Sequence, residues 1–165
     1  PPTRKTSRLY TRLVCDERIP TDVSAAQNSR EIAGFMQLAA TAAPGHTLLE
    51  IDQVIVEEIS KLAAHGPTAD EMDRAKLQAE AQFVFRLQSV GGFGGKSDQL
   101  NAYNTFLGDP AFFDRDLRRY QDVTGSSLQA TVREFVDHTR RVALSMVPRG
   151  RLDLALPDST PAAVS

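Results

Sequence analysis

The sequence predicts an α+β fold, a two-layer sandwich in which helices cover one face of an antiparallel sheet. A strand–turn–strand pattern near the N-terminus is followed by several consecutive helical patterns, and a short apolar run near the C-terminus has the composition of another strand. Strands grouped apart from helices indicate α+β rather than alternating βαβ units. Three strands are few for a sheet under this much helix, so we expect further strands upstream of residue 1.

Length and composition are typical of one globular domain. The chain has 165 residues, of which 41% are hydrophobic and 24% are charged. A net charge of −2, with acidic and basic residues interspersed, does not fit a protein that binds a nucleic-acid backbone. No apolar run reaches the ~18 residues of a membrane-spanning helix. We predict a single domain over residues 1–150 and a linker-like tail over residues 151–165.

The N-terminal part of the chain predicts a helix followed by a β-hairpin. Residues 6–16 place apolar side chains at helical spacing, and Pro20 ends that pattern. Residues 21–27 and 32–43 have the composition of strands, and the polar residues 28–31 between them form the predicted turn.

Two capping boxes predict where two long helices begin. Residues 47–50 read TLLE and residues 68–71 read TADE, so that in each a Thr hydroxyl and a Glu carboxylate can satisfy free amides of the first turn. Residues 65–67, His-Gly-Pro, are a helix stop between them. The second helix is predicted to end at a cluster of four glycines within residues 91–95.

The C-terminal part predicts three shorter helices and a strand. Apolar residues at helical spacing predict a helix that begins at Lys96 and ends at Gly108. Asp109-Pro110 is predicted to start the next helix, with Asp as the cap and Pro at the first helical position. Thr124 is the predicted cap of the last helix. Residues 141–147, RVALSMV, form a nearly continuous apolar run and therefore predict a buried strand.

The glycine cluster also suggests a phosphate-binding loop, but its spacing is wrong. That motif needs G-x-x-x-x-G-K-[ST] between a strand and a helix, so that amide groups converge on the anion. Gly95, Lys96 and Ser97 fit its end, whereas Val90 stands where its first glycine is required. Because a helical pattern precedes the cluster, we interpret it as a junction between two helices.

The sequence assigns no residue to catalysis, to a cofactor or to a metal. None of His46, His65 and His138 stands in H-x-x-E-H or H-E-x-x-H, the spacings that build a zinc site on a helix. Cys15 is followed by two acidic residues, a setting that does not favour a reactive thiolate. The chain alone is therefore predicted to be inactive.

Five segments in chain order resemble the pitrilysin/insulinase family of zinc peptidases. They are SRLYTRLV (7–14), DVSAAQNSREIAGFMQLAATAAPGH (22–46), GPTADEMDRAK (66–76), GGKSDQLNAYNTFLGDPAFFDRDLRRYQDVT (94–124) and RVALSMVPRG (141–150). The resemblance is to the second, non-zinc domain of a half-molecule, a processing-peptidase-like metallohydrolase domain. Family domains begin with a strand and a helix ahead of the first segment, so the resemblance implies truncation at the N-terminus.

The resemblance implies a scaffold domain of a zinc-dependent metalloendopeptidase, forming part of the peptide-enclosing chamber. In the family, the first domain holds zinc through H-x-x-E-H and a further Glu, and the motif's Glu is the general base. The resemblance therefore implies no cofactor in this fragment and zinc in an absent partner domain. Its implied partners are sister domains and, in the parent, a peptide substrate, with neither nucleic acid nor membrane. We also expect the isolated fragment to self-associate.

Some family members carry an Arg and a Tyr that hold the substrate or the transition state. The matching positions here are Val14 and Thr21, so this role is not transferred. Two alternatives stay open: an inactive structural subunit of the same family, and an unrelated helical protein-binding module. The compartment stays open as well, because relatives are often exported in bacteria while no signal is visible here.

Overall fold

The computed structural model describes residues 7–91, 93–136 and 139–162. Its strands are β1 (Pro20–Asn28) and β2 (Phe35–Ala42). Its helices are α1 (Arg8–Tyr10), which continues as a π-helix over Thr11–Glu17, α2 (Leu48–His65), α3 (Ala69–Gln88), α4 (Lys96–Leu107), α5 (Phe113–Gln121), α6 (Gly125–Phe135) and a short 3₁₀ helix at Leu152–Leu154. The predicted α+β class, with helices and an antiparallel sheet, is confirmed.

The chain forms two compact units. Unit 1 contains Pro1–Ala64 and Val132–Ser165, and unit 2 contains His65–Thr131. Unit 1 holds the β-hairpin and its core, whereas unit 2 is helical.

The predicted hairpin is confirmed, with a later start for its second strand. β1 and β2 run antiparallel, with Val23 opposite Ala40 and Asn28 opposite Phe35. Ile32 belongs to the connection rather than to β2, and its side chain is 98% exposed. Gly34 ends that connection where the backbone turns tightly, since a Cβ there would lie 2.8 Å from the carbonyl oxygen of Asn28.

The core of unit 1 is a small cluster around one fully buried side chain. Leu13 is 0% exposed and lies in the π-helix. Its buried neighbours come from the start of the hairpin and from α2: Ile19, Val23, Ile51 and Val54.

Helix cover reaches β1 but scarcely reaches β2. Pro20 and Val23 of β1 are buried, while no residue of β2 is. Phe35 and Met36, the bulkiest side chains of β2, are exposed. In the part of the chain that the structure describes, each strand pairs only with the other, so both outer edges are unpaired there.

Both predicted capping boxes form. The Thr47 amide donates to Glu50 Oε2 at 2.7 Å, and the Glu50 amide donates to the Thr47 hydroxyl at 3.2 Å. Thr68 and Glu71 repeat this exchange at 2.8 and 3.3 Å. Gly66 ends α2 with a φ of 73°, a left-handed conformation that a residue with a Cβ adopts only at a cost.

Unit 2 is built on aromatic contacts between helices. Phe83 of α3 is buried, and its ring meets Phe113 at 5.6 Å and Tyr120 at 5.1 Å, both edge to face. The ring of Tyr103 in α4 meets Phe112 at 5.7 Å in the same manner.

The predicted helix start at Asp109-Pro110 is wrong by three residues. α5 begins at Phe113, and the residues before it form a turn. Asp109 Oδ1 accepts a hydrogen bond from the Ala111 amide at 3.0 Å. The side chain therefore closes a local turn, a use of Asp that competes with helix capping. At Thr124 the cap prediction holds, since its hydroxyl accepts from the Ser127 amide at 3.1 Å.

The predicted buried strand at residues 141–147 is also wrong. These residues form no strand, and Val142, Leu144 and Met146 are 97%, 76% and 86% exposed. The apolar composition is that of a strand, but a strand forms only beside a partner, and the described residues offer none next to this run.

Replacing Leu13 by Ala tests the core. Leu13→Ala removes the one side chain that is fully buried among the described residues, and we expect a loss of about 2–5 kcal/mol in the free energy of unfolding. Leu152→Ala is the matched control, because Leu152 is 65% exposed and should cost less than about 0.5 kcal/mol. Urea denaturation measures both, and equal losses would contradict this assignment of the core.

Candidate functional site

The glycine junction in unit 2 uses its own amide groups. Gly95 caps α4, the Lys96 amide donates to the Ser89 carbonyl at 2.8 Å, and the Ser97 amide donates to the Val90 carbonyl at 3.1 Å. The Gly94 amide donates to Asp98 Oδ2 at 2.9 Å. An anion at this helix start would therefore meet a carboxylate and occupied donors. The geometry supports a helix junction and argues against a phosphate loop. Gly92 lies outside the described residues.

The serines beside the glycines serve the same junction. The Ser89 hydroxyl donates to the Gly91 carbonyl at 2.9 Å, and the Ser97 hydroxyl donates to the Val90 carbonyl. Among the described residues, neither hydroxyl contacts a histidine that could remove its proton. These hydroxyls thus hold the loop closed rather than forming an activated nucleophile.

The described histidines lie at helix ends. His46 Nδ1 is 3.5 Å from Glu50 Oε2 beside the first capping box, and His65 is the last residue of α2. No group of three or more His, Cys, Asp or Glu side chains that could hold a metal occurs within residues 7–91, 93–136 and 139–162. His138 lies outside those ranges.

Cys15 and the two positions compared with substrate-holding residues lie near the hairpin. Cys15 is an exposed free thiol on the π-helix. Val14 packs against the buried core cluster, and the Thr21 hydroxyl donates to the Thr41 carbonyl at 3.3 Å. Both side chains make contacts within the fold, which agrees with assigning them no role in substrate binding.

Sequence reasoning missed an ionic cluster around Arg12. Its guanidinium donates to Glu17, to Glu57 at 3.1 Å and to Glu58 at 3.3 Å, and Lys61 joins Glu58 at 2.8 Å. The hydrogen bond to Glu17 is the main cause of a raised Arg12 pKa, with smaller contributions from the other carboxylates. The cluster joins the π-helix to α2, and no local spacing signals a contact over 45 residues. Each of its three carboxylates is paired with Arg12, and Glu58 also with Lys61, so the cluster is a structural link between the two helices.

A second missed interaction joins two helices of unit 2. The Tyr103 hydroxyl donates to Asp116 Oδ2 at 2.8 Å, and Arg119 lies 3.3 Å from the other oxygen of that carboxylate. Burial and the bond to Asp116 both raise the pKa of Tyr103. The phenol therefore stays protonated as a donor, which suits anchoring rather than acid–base catalysis.

Unit 1 has a shallow apolar groove of about 370 Å³. It is lined by Ile59, Ser60, Ala63, Ala64, Val132, Arg133 and Val136. Arg133 Nε donates to the Ala63 carbonyl at 2.6 Å, and Nη2 donates to the Ala64 carbonyl at 3.3 Å. The only charged side chain of this groove thus caps the end of α2 and is not presented to a ligand.

One family model matches the chain. Residues 3–79 match the description "Peptidase M16 inactive domain". A search of curated protein sequences finds no match. The matched range contains the hairpin, the core of unit 1 and both capping boxes.

Three solved structures resemble the fold. A provisionally named zinc protease from Bordetella pertussis Tohama I has a TM-score of 0.71 and 17% identity, over 87% of this chain and 76% of that one. The inactive peptidase domain of a similarly named protein from Bordetella parapertussis has 0.67 and 16%, over 89% and 79%. A protease from Helicobacter pylori has 0.67 and 23%, over 82% of this chain but only 32% of its own length. The chain therefore spans about a third of that protease.

Substitution of Gly95 tests the junction. A Cβ at Gly95 would lie 2.8 Å from the carbonyl oxygens of Ser89 and Gly91, so Gly95→Ala should cost about 1–3 kcal/mol of stability. Gly91→Ala is the matched control, since its Cβ would meet nothing within 4 Å. We expect urea denaturation to separate the two variants clearly, and similar midpoints would show that the junction is looser than described.

The first capping box predicts a pH dependence. The Thr47 amide and then its hydroxyl lower the pKa of Glu50. A carboxyl group whose pKa is lower in the folded than in the unfolded state stabilises the fold at pH values above its ordinary pKa of about 4.3. This contribution to stability is lost as the pH falls through the folded-state pKa. The stability difference between wild type and Glu50→Gln should therefore shrink as urea titrations move from neutral to acid pH. Glu80→Gln, an exposed control on α3, should show no such trend.

Proposed function

Residues 3–79 belong to the inactive-domain class of the M16, or pitrilysin/insulinase, peptidases, and on this premise we propose that the chain is a scaffold domain of a zinc-dependent metalloendopeptidase. In this proposal it forms part of the wall of the peptide-enclosing chamber. It also provides an interface to sister domains of the same protease. We further propose that residues 1–150 act as one domain of the parent, with residues 151–165 as a linker.

The family match carries the proposal, because it is to the inactive domain type, which lacks the zinc site. An inactive domain contributes to a peptidase by binding, enclosing or positioning, and not by activating water. The contacts of the side chains described above agree with a binding or positioning role. The described histidines lie at helix ends, Ser89 and Ser97 close the glycine loop, and the buried Tyr103 anchors one helix to another.

Exposed apolar side chains support an interface role. In unit 2 these include Leu77, Phe85 and Phe106, each more than 60% exposed on a helix. In unit 1 they include Ile32 and Phe35 of the hairpin region. Large exposed apolar groups gathered on secondary structure mark contact surfaces. The chain matches only 32% of the Helicobacter pylori protease. In a protein of that length, other parts would cover these exposed apolar groups, which also supports an interface role.

The antiparallel hairpin weighs against an unrelated helical binding module. A purely helical module would have no sheet, whereas β1 and β2 pair over their length. The other alternative, an inactive subunit of the same family, shares this fold. It differs only in whether the parent protein carries H-x-x-E-H in another domain, so sequencing the parent gene separates the two.

Metal analysis and peptide cleavage test the scaffold assignment. The purified chain, incubated with zinc and then desalted, should retain far less than one zinc per chain, and it should not cleave fluorogenic peptides. A metalloendopeptidase of the same family, handled in parallel, serves as the positive control. Retention of one zinc per chain, or cleavage that a chelator abolishes, would refute the proposal.

A second arm tests the interface. The chain is mixed with the H-x-x-E-H domain of its parent protein, expressed separately. We expect a stable complex in sedimentation and higher peptidase activity than the zinc domain shows alone. Absence of a complex at concentrations up to about 100 μM, well above the dissociation constants of stable interfaces, would count against the interface role.

A further inference from the structure

Residues Thr11–Glu17 form a π-helix between α1 and β1, and we propose that Arg12 acts as a conformational latch that selects this π-helix over an α-helix. In the closed latch Arg12 pairs with Glu17, and when that pair opens the segment rewinds as an α-helix. The inference goes beyond the scaffold function, because it concerns how the chain sets the junction between its first helix and the hairpin.

The ion pair between Arg12 and Glu17 fits a π-helix and not an α-helix. Arg12 Nε donates to Glu17 Oε1, five positions further along the chain. Residues five apart lie on the same face of a π-helix, because its hydrogen bonds join residues i and i+5. In an α-helix of about 3.6 residues per turn they lie about 140° apart around the axis, on different faces. The pair therefore stabilises one helix type at the expense of the other.

Helix α2 holds Arg12 in the position where this pair forms. The guanidinium also donates to Glu57 Oε2 at 3.1 Å and to Glu58 Oε1 at 3.3 Å. The Glu58 side chain is only 11% exposed, and Lys61 Nζ lies 2.8 Å from the same oxygen. A network of several charges stabilises more than an isolated surface ion pair does. The latch therefore depends on charges from both helices.

An α-helix over the same residues would also offer Arg12 an acidic partner. Asp16 follows Arg12 by four positions, the spacing that brings two side chains together on an α-helix. In the structure Asp16 is exposed, whereas Glu17 is half-buried beside Arg12. The sequence thus provides one acid for each helix type. This makes the segment a two-state element, in which the choice of partner and the choice of helix are the same event.

The type of helix decides how the chain enters the hairpin. The Leu13 carbonyl accepts hydrogen bonds from the Arg18 amide and, at 3.1 Å, from the Ile19 amide. In an α-helix that carbonyl would accept from the Glu17 amide instead of the Arg18 amide. The left-handed φ of 56° at Arg18, which a residue with a Cβ adopts only at a cost, would then lose the bond that holds it. The closed latch therefore fixes the turn from the π-helix into β1.

NMR couplings across hydrogen bonds test the latch in the full chain. In wild type the amide nitrogen of Arg18 should couple to the carbonyl carbon of Leu13. Glu17→Ala should transfer this coupling to the amide at position 17, because the segment rewinds as an α-helix. Asp16→Ala is the matched control, the same change at the neighbouring acid, and should keep the wild-type coupling. Retention of the coupling between Leu13 and Arg18 in Glu17→Ala, or its loss in Asp16→Ala, would overturn the proposal.

Hydrogen exchange of the wild-type chain tests the latch without any substitution. Salt screens partly exposed charges, so raising NaCl from about 0.02 M to about 1 M should open the latch more often. The Arg18 amide has the Leu13 carbonyl as its acceptor only in the π-helix, and we expect it to exchange about fivefold faster. The Gly108 amide, which donates to the Asn104 carbonyl at 3.0 Å at the end of α4, is the control and should keep its rate. An unchanged rate at Arg18, or equal acceleration of both amides, would overturn the proposal.

Discussion

The burial of Leu13 is the contact on which unit 1 depends. Its side chain fills the centre of the small core, and its carbonyl accepts hydrogen bonds from the amides of both Arg18 and Ile19. Arg18 has a φ of 56°, which turns the chain sharply out of the helix and into β1. Ile19 in turn accepts a hydrogen bond from the Ala43 amide at 2.8 Å, which closes the hairpin at its base. One residue thus sets both the packing and the path of the backbone.

Local signals made much of the fold predictable. The capping boxes at Thr47 and Thr68, the stop at Gly66 and the hairpin all depend on residues within a few positions of one another. Such interactions have the same geometry in any protein, so a short stretch of sequence specifies them. The absence of a catalytic assignment had a similar basis, because the glycine, histidine and serine spacings did not match the motifs that their chemistry requires.

The errors and omissions arose where distant residues decide the outcome. The composition of residues 141–147 is that of a strand, but composition does not supply the neighbouring strand that pairing requires. Arg12 meets Glu57 across 45 positions, and Tyr103 meets Asp116 across a helix boundary. The wrong helix start at Asp109 had a local cause, since an Asp before a Pro can stabilise a turn as readily as it caps a helix. The resemblance agrees with the family model over residues 3–79, because it rests on several segments in order and not on one local spacing.

The hairpin has a consequence for the order of folding. Its two strands are joined by six residues, and its register brings together positions that are close along the chain. Contacts of short sequence separation cost little chain entropy and form quickly. We therefore expect the hairpin and the capped helix α2 to form before the helices of unit 2, which lie later in the chain.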